Sequence, residues 1–219
     1  LFGNHEEEDL DEDLVVVIDA PRLEKLKLFD PKTDCFIINS IGSLVKAVID
    51  VTFNLYQFDP IDLPKRNMIR SFLLAISSAR EMTITSFTLE AIYNYSRCEP
   101  LPLFRNLSSL RANFYNCTWE TLPIFLESCP TLKSLSFSIR DFEEPIGILL
   151  GLPSFLPSLE FVEIVSTMIN AEEHMKLVSY FLENSTILKK LVRGCERLDI
   201  LKKLLSTPRL SSSCQVIVL

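Results

Sequence analysis

The sequence predicts an α/β fold, a solenoid whose curved parallel sheet carries helices on its outer face. Two observations predict it. A short apolar unit returns along the 219 residues, and segments of helical periodicity fall between its copies. Composition agrees with a large core. Apolar residues make up 47% and charged residues 23% of the chain, which excludes global disorder. A chain of this length buries roughly 70–75% of its unfolded surface, as one large domain or two small ones.

The unit is Leu-x-x-Φ-x-Φ, with Φ apolar. Clear copies are Leu23, Leu26, Leu28; Leu44, Ala47, Ile49; Leu132, Leu135, Phe137; and Leu159, Val162, Ile164. Weaker copies are Ala79, Met82, Ile84 and Leu107, Leu110, Ala112, and a degenerate one is Leu188, Leu191, Arg193. Successive copies start 21, 35, 28, 25, 27 and 29 residues apart. Most of these intervals fit leucine-rich repeats, the second being widened by an insertion. The Φ-x-Φ half is a short strand with alternate side chains turned inward, and the leading leucine fills the same core from the bend. One unit cannot bury its apolar face alone, so units stack and their strands pair in parallel.

The connecting segments read as helices. Lys65 to Ser78 places Ile69, Phe72, Leu73 and Ile76 on one stripe, with Pro64 suited to the first helical position. Thr118 can cap a helix with Leu122, Phe125 and Leu126 inward. Asn170 and Glu173 have capping-box spacing ahead of a stripe of Met175, Val178, Phe181 and Leu182. Leu198, Leu201, Leu204 and Leu205 repeat the theme, and Cys214 to Leu219 reads as a terminal strand. Asp141 to Pro157, rich in proline and glycine, breaks the rhythm as a loop between subregions.

Charge is concentrated. The net charge is −7, and seven acids lie between Glu6 and Asp13. Removing them leaves 29 − 7 = 22 acids against 22 Lys and Arg, a neutral body behind an acidic linker over residues 1–13. A neutral body argues against nucleic-acid binding, which needs a basic face. No apolar run reaches the roughly 18 residues of a membrane span. Five glycines share no phosphate-loop spacing, so no nucleotide cofactor site is expected. His5 and His174 are the two histidines, which disfavours histidine metal sites and catalytic triads. No cofactor and no metal is expected. Six cysteines without a CxxC read as buried free thiols, Cys129 among them, in a reducing compartment, the cytoplasm or nucleus. Trp119 reads as a helix anchor beside Thr118.

The stretches "APRLEKLKL" (Ala20–Leu28) and "FLESCPTLKSLSF" (Phe125–Phe137) resemble the leucine-rich repeats of plant F-box proteins. "LPSLEFVEI" with "EEHMKLVSYFLENSTILKKL", between Leu156 and Leu191, resembles the FBD domain of F-box/FBD/LRR-repeat proteins, as does the closing "LLSTPRLSSSCQVIVL". Three parts are then expected: a linker over 1–13, leucine-rich repeats over 14–152, and an FBD-like domain over 153–219 that continues the stack. The resemblance implies a substrate receptor of an SCF ubiquitin ligase. An F-box in such proteins joins adaptor and cullin, while the repeats present a protein target. No F-box motif lies within these residues, so adaptor and cullin are expected only through an F-box outside this chain. A non-ligase interaction scaffold is the alternative. An enzyme would rest on the cysteines and carboxylates alone and is not expected.

Repeat geometry also locates a binding surface. Positions between the inward residues project from the concave face of the sheet: Lys25, Lys27, Lys46, Arg111, Asn113, Ser134, Ser136, Phe161 and Glu163. Lysines mark the first repeats and serines the middle ones. If no capping unit precedes it, Val15–Ile18 is expected to leave an apolar edge. Limited proteolysis should then trim the chain back to a later repeat, and a fully resistant first strand would contradict this.

Overall fold

A computed structural model describes residues 15–30, 33, 35–42, 44–53, 61–115, 121–140, 156–166, 171–194 and 207–218. The strands are β1 (Val15–Ala20), β2 (Lys25–Asp30), β3 (Cys35–Ile41), β4 (Lys46–Val51), β5 (Glu81–Ile84), β6 (Ser109–Tyr115), β7 (Ser134–Arg140), β8 (Phe161–Ser166), β9 (Lys190–Gly194) and β10 (Gln215–Val218). The helices are α1 (Leu63–Ile76), α2 (Ser86–Ser96), α3 (Thr121–Ser128) and α4 (Ala171–Asn184). Eight strands form one parallel sheet in the order β10-β9-β8-β7-β6-β5-β4-β2, and β1 pairs with β3 in a second, two-stranded parallel sheet. The fold is therefore mixed α/β with a parallel sheet.

Every copy of the apolar unit enters the large sheet without slipping. Leu26, Ala47, Met82, Leu110, Leu135, Val162, Leu191 and Val216 stand opposite one another in successive pairs. Leu28, Ile49, Ile84, Ala112, Phe137 and Ile164 form the next row. All of these are buried except Leu28 and Val216, which are partly buried against the same core. The leading residues Leu44, Ala79, Leu107, Leu132, Leu159 and Leu188 are buried behind them. A slip of one residue would turn each strand's apolar set to the opposite face, so burial fixes the register.

Two hydrogen-bond systems hold the units together at the strand entrances. The backbone N–H groups of Val45, Arg80, Ser108, Lys133, Glu160, Lys189 and Gln215 donate in turn to the carbonyls of Glu24, Val45, Arg80, Ser108, Lys133, Glu160 and Lys189, at 2.7–3.2 Å. Side-chain hydroxyls add a second line. Thr131 donates to the Leu107 carbonyl at 3.2 Å, Ser158 to Leu132 at 2.9 Å, and Ser211 to Leu188 at 2.7 Å. Carbonyls at the bends, which have no helix or strand partner, are thereby satisfied.

The helices bury the stripes that their periodicity predicts. Ile69, Phe72, Leu73 and Ile76 of α1 are buried, as are Leu122, Phe125 and Leu126 of α3 and Val178, Phe181 and Leu182 of α4. Helix α1 starts earlier than Lys65. Asp62 caps it by accepting from the Lys65 N–H at 3.0 Å, which leaves Pro64 in the second position, where no N–H is needed. Helix α2 is an addition to the sequence reading. Leu89, Ile92 and Tyr95 supply its buried stripe, and Thr88 ties it to β4, accepting from the Val51 N–H at 2.8 Å and donating to its carbonyl at 3.0 Å.

The first interval differs in kind. Fifteen residues separate β2 from β4, and the segment between them is the strand β3 where the other described intervals carry helices. An extended residue spans about twice the distance of a helical one, so a short return path favours a strand. Gly42 sits at the tightest point, because a Cβ there would lie 2.5 Å from the Pro21 carbonyl oxygen. Val15, Val17 and Ile37 point outward, while Val16, Ile18 and Ile38 pack on the core.

Phe36 of β3 joins the two sheets. Its ring lies 5.5 Å from Phe53 and 5.5 Å from Phe72, which are themselves 5.0 Å apart. Phe53 holds a φ of 54°, a conformation unfavourable for a side chain of this size, and all three rings are buried. The residues expected to form the loop at 141–155, the caps Thr118 and Asn170, and the stripe Leu198–Leu205 lie outside the described residues. Phe72→Ala should cost about 3–5 kcal/mol of stability, the range for deleting a buried ring. Urea unfolding of the two proteins measures it, and a loss below about 1 kcal/mol would show that the three rings are not a packed unit.

Candidate binding face

Strand alternation decides which side chains are available to a partner. With one face of the large sheet committed to the core, the intervening residues form rows on the other. The first row runs Lys25, Lys46, Glu81, Ser109, Ser134, Phe161, Lys190, Gln215 across the eight strands. The second runs Lys27, Val48, Thr83, Arg111, Ser136, Glu163, Val192, Ile217. Asn113 lies in a third, beside Ser138 and Val165. All nine candidate residues thus fall on one face in contiguous register. Glu81, Thr83, Ser109, Ser138 and Lys190 share it, at offsets of two, four or six residues from the leading residue of their own copies, as the candidates do in theirs. Gln215 joins them from β10, a strand without a copy of the unit.

Contacts across neighbouring strands organise this face. Lys46 and Glu81 form an ion pair at 3.3 Å, with about half of each side chain exposed. The Ser136 hydroxyl donates to Glu163 Oε2 at 2.6 Å and Ser138 donates to Asn113 Oδ1 at 3.0 Å. Thr85 donates to the Asp50 carboxylate. The Lys190 ammonium lies 5.7 Å from the centre of the Phe161 ring. Among the described residues, Lys25, Lys27 and Arg111 are exposed and make no ion pair or side-chain hydrogen bond. Between the charged ends the floor is low, being made of Val48, Thr83, Ser109 and Ser134.

The remaining groups are structural in character. Burial pushes the Cys129 thiol up to about 12, so it is held as the neutral thiol at neutral pH. Burial likewise raises Cys214, with Arg209 opposing. Cys35, Cys98, Cys129 and Cys214 are free thiols. On the helix layer Arg66 pairs with Glu99, which also accepts from Tyr95 at 3.1 Å. Burial, then that bond, raises Tyr95 to about 12. An apolar cleft of about 310 Å³ lies off the sheet face, between the end of α3 and the bend into β8, lined by Leu126, Cys129, Leu132, Leu156 and Leu159. Among the described residues, no group of three or more His, Cys, Asp and Glu could hold a metal ion, and no helix is long and apolar enough to cross a membrane. His5, Trp119 and two of the six cysteines, Cys117 and Cys195, lie outside the described residues, and so does the side chain of His174.

Residues 152–192 match the FBD family model. The chain is 56% identical over 224 residues to F-box/FBD/LRR-repeat protein At1g78750 of Arabidopsis thaliana, an alignment covering 97% of this chain and 49% of that protein. It is 56% identical to putative FBD-associated F-box protein At1g78730, covering 98% and 50%, and 55% identical to F-box/LRR-repeat protein 13, covering 97% and 50%, both also of Arabidopsis thaliana. The chain spans about half the length of these curated relatives. No solved structure matches it.

One ion cluster beside the face should be visible in the pH dependence of stability. The Lys189 ammonium bonds Glu160 at 2.6 Å and, with Lys133 at 3.9 Å, holds its carboxyl below the usual range against a smaller opposing effect of burial. A depressed folded-state pKa adds stability above the unfolded value, and that stability is lost as pH falls through the folded one. The gap in urea midpoint between the native chain and Glu160→Gln should be widest at neutral pH and close in acid. A gap that is constant with pH would show that the cluster contributes nothing through charge.

Proposed function

We propose that this chain, similar to F-box/FBD/LRR-repeat proteins over about half of their length, is a target-recognition module of an SCF-type ubiquitin ligase receptor. In this reading the units stack as a leucine-rich-repeat solenoid, with a curved sheet inside and helices outside. The open face of the sheet receives a protein target. Adaptor and cullin are recruited through an F-box elsewhere in the whole protein, and the target is held for ubiquitin transfer without any bond being made or broken by these residues. The setting is the cytoplasm, the nucleus or both.

The observation that carries the reading is the continuity of the outward face. Eight strands align without slip, so residues distant in sequence become one surface, roughly 34 Å across for seven inter-strand spacings. Parallel sheets are usually covered on both faces, and here Lys25, Lys27, Lys46, Glu81, Arg111 and Asn113 are exposed on the second face while Val192 at its β9 end is buried, so the β2–β6 part is available to a macromolecule. Burial that keeps the Cys129 thiol neutral supports a packing role for that cysteine rather than a nucleophile's.

The test uses the whole protein, immunopurified from plant cells. Adaptor and cullin should co-purify with it. Ser136→Trp, which places bulk at the centre of the face, should keep adaptor and cullin and lose the ubiquitinated target from the pull-down. Absence of both adaptor and cullin would overturn the ligase reading.

A further inference from the structure

We infer that the β2–β6 half of the open face binds an extended acidic segment of a protein partner, an inference that rests on the reading of that face as the target surface. The argument begins with charge. Outside the acidic run at 6–13 the chain is neutral, and the described face displays Lys25, Lys27, Lys46, Arg111 and Lys190 against Asp50, Glu81 and Glu163. The excess of cations is a local feature of this face.

Pairing sharpens the imbalance. Glu81 faces Lys46, Glu163 accepts from Ser136, and Asp50 accepts from Thr85. Of these carboxylates only Glu81 faces an opposite charge; Asp50 and Glu163 accept from neutral hydroxyls and keep theirs. Lys25, Lys27 and Arg111 have no partner among the described residues. On the β2–β6 half three unpaired cations therefore stand against one carboxylate, Asp50, and the balance is cationic.

Geometry then selects an extended chain over a point anion. Lys27 and Arg111 occupy the same row on β2 and β6, three inter-strand spacings or about 14 Å apart. Val48 and Thr83 lie between them, small enough for a backbone to pass above. An extended peptide advances about 3.3 Å per residue, so carboxylates about four residues apart would reach both cations while running across the strands. The guanidinium of Arg111 can take a carboxylate in two parallel bonds, and the lysines act as point charges. Phe29, 64% exposed at the β2 end, offers an apolar stop beside the two lysines.

Random dodecapeptides displayed on phage and selected on the full chain test this without a known target. Selected peptides should be rich in Asp and Glu, and a synthetic winner should weaken as salt rises. Lys27→Glu with Arg111→Glu should lower its affinity by at least about tenfold, and the Gln pair should lower it less. Arg70→Glu with Arg105→Glu, both exposed and outside the strands of the face, is the charge-matched control and should change nothing, with circular dichroism verifying that each variant folds. Selected peptides without acidic enrichment, lost on Ser136→Trp, would overturn the inference while keeping the face as a binding surface. Peptides indifferent to both Ser136→Trp and the charge reversals would overturn the face itself. Equal competition by a single-stranded DNA oligonucleotide would show a general polyanion site and overturn the peptide assignment.

Discussion

Parallel register without slip is the constraint on which everything else in this molecule depends. The leading apolar residue of each unit sits in the core, and the backbone N–H immediately after it donates to the preceding unit. These two anchors, one apolar and one polar, fix both the depth and the height of every strand. Once they are set, the inward rows fill themselves and the outward rows become a continuous surface. Connections can then vary in length, as the 35-residue interval containing α1 demonstrates, without moving any strand relative to its neighbours. Loop-closure cost grows slowly with length, so such insertions are tolerated.

Much of this was legible from the sequence, for a physical reason. The inward positions of Leu-x-x-Φ-x-Φ leave little freedom, and even weak copies such as Ala79, Met82, Ile84 fall at the expected register. Helix stripes were equally readable, because each helix has a single core to face. What escaped was decided by length and by tertiary context. The β3 segment has an apolar, β-rich composition, but only the shortness of its interval and the pairing with β1 make it a strand. Helix α2 is masked by polar residues, and Thr88 is buried because its hydroxyl finds the β4 backbone. The candidate face was readable as a set of positions. Its chemistry was less so, since whether a lysine is free or paired depends on the residue one strand away and some 35 residues along the chain, as with Lys46 and Glu81.

The same arithmetic separates structural polar groups from available ones. Ser136, Ser138 and Thr85 look in sequence like a polar ligand surface, yet each has spent a hydrogen bond on a neighbour. Glu160 is held by two lysines at the strand entrances. Groups engaged in this way define the shape of the surface and its rigidity, while the unengaged cations define what it attracts.

The sheet order also bears on how such a chain is made. In the large sheet each strand pairs with the strand that precedes it in order and the one that follows, so the order of synthesis is the order of assembly. A unit emerging from the ribosome finds its template already in place and need not wait for a distant partner. The nascent chain therefore has one growing edge at any moment, opposite the β2 edge from which the sheet starts.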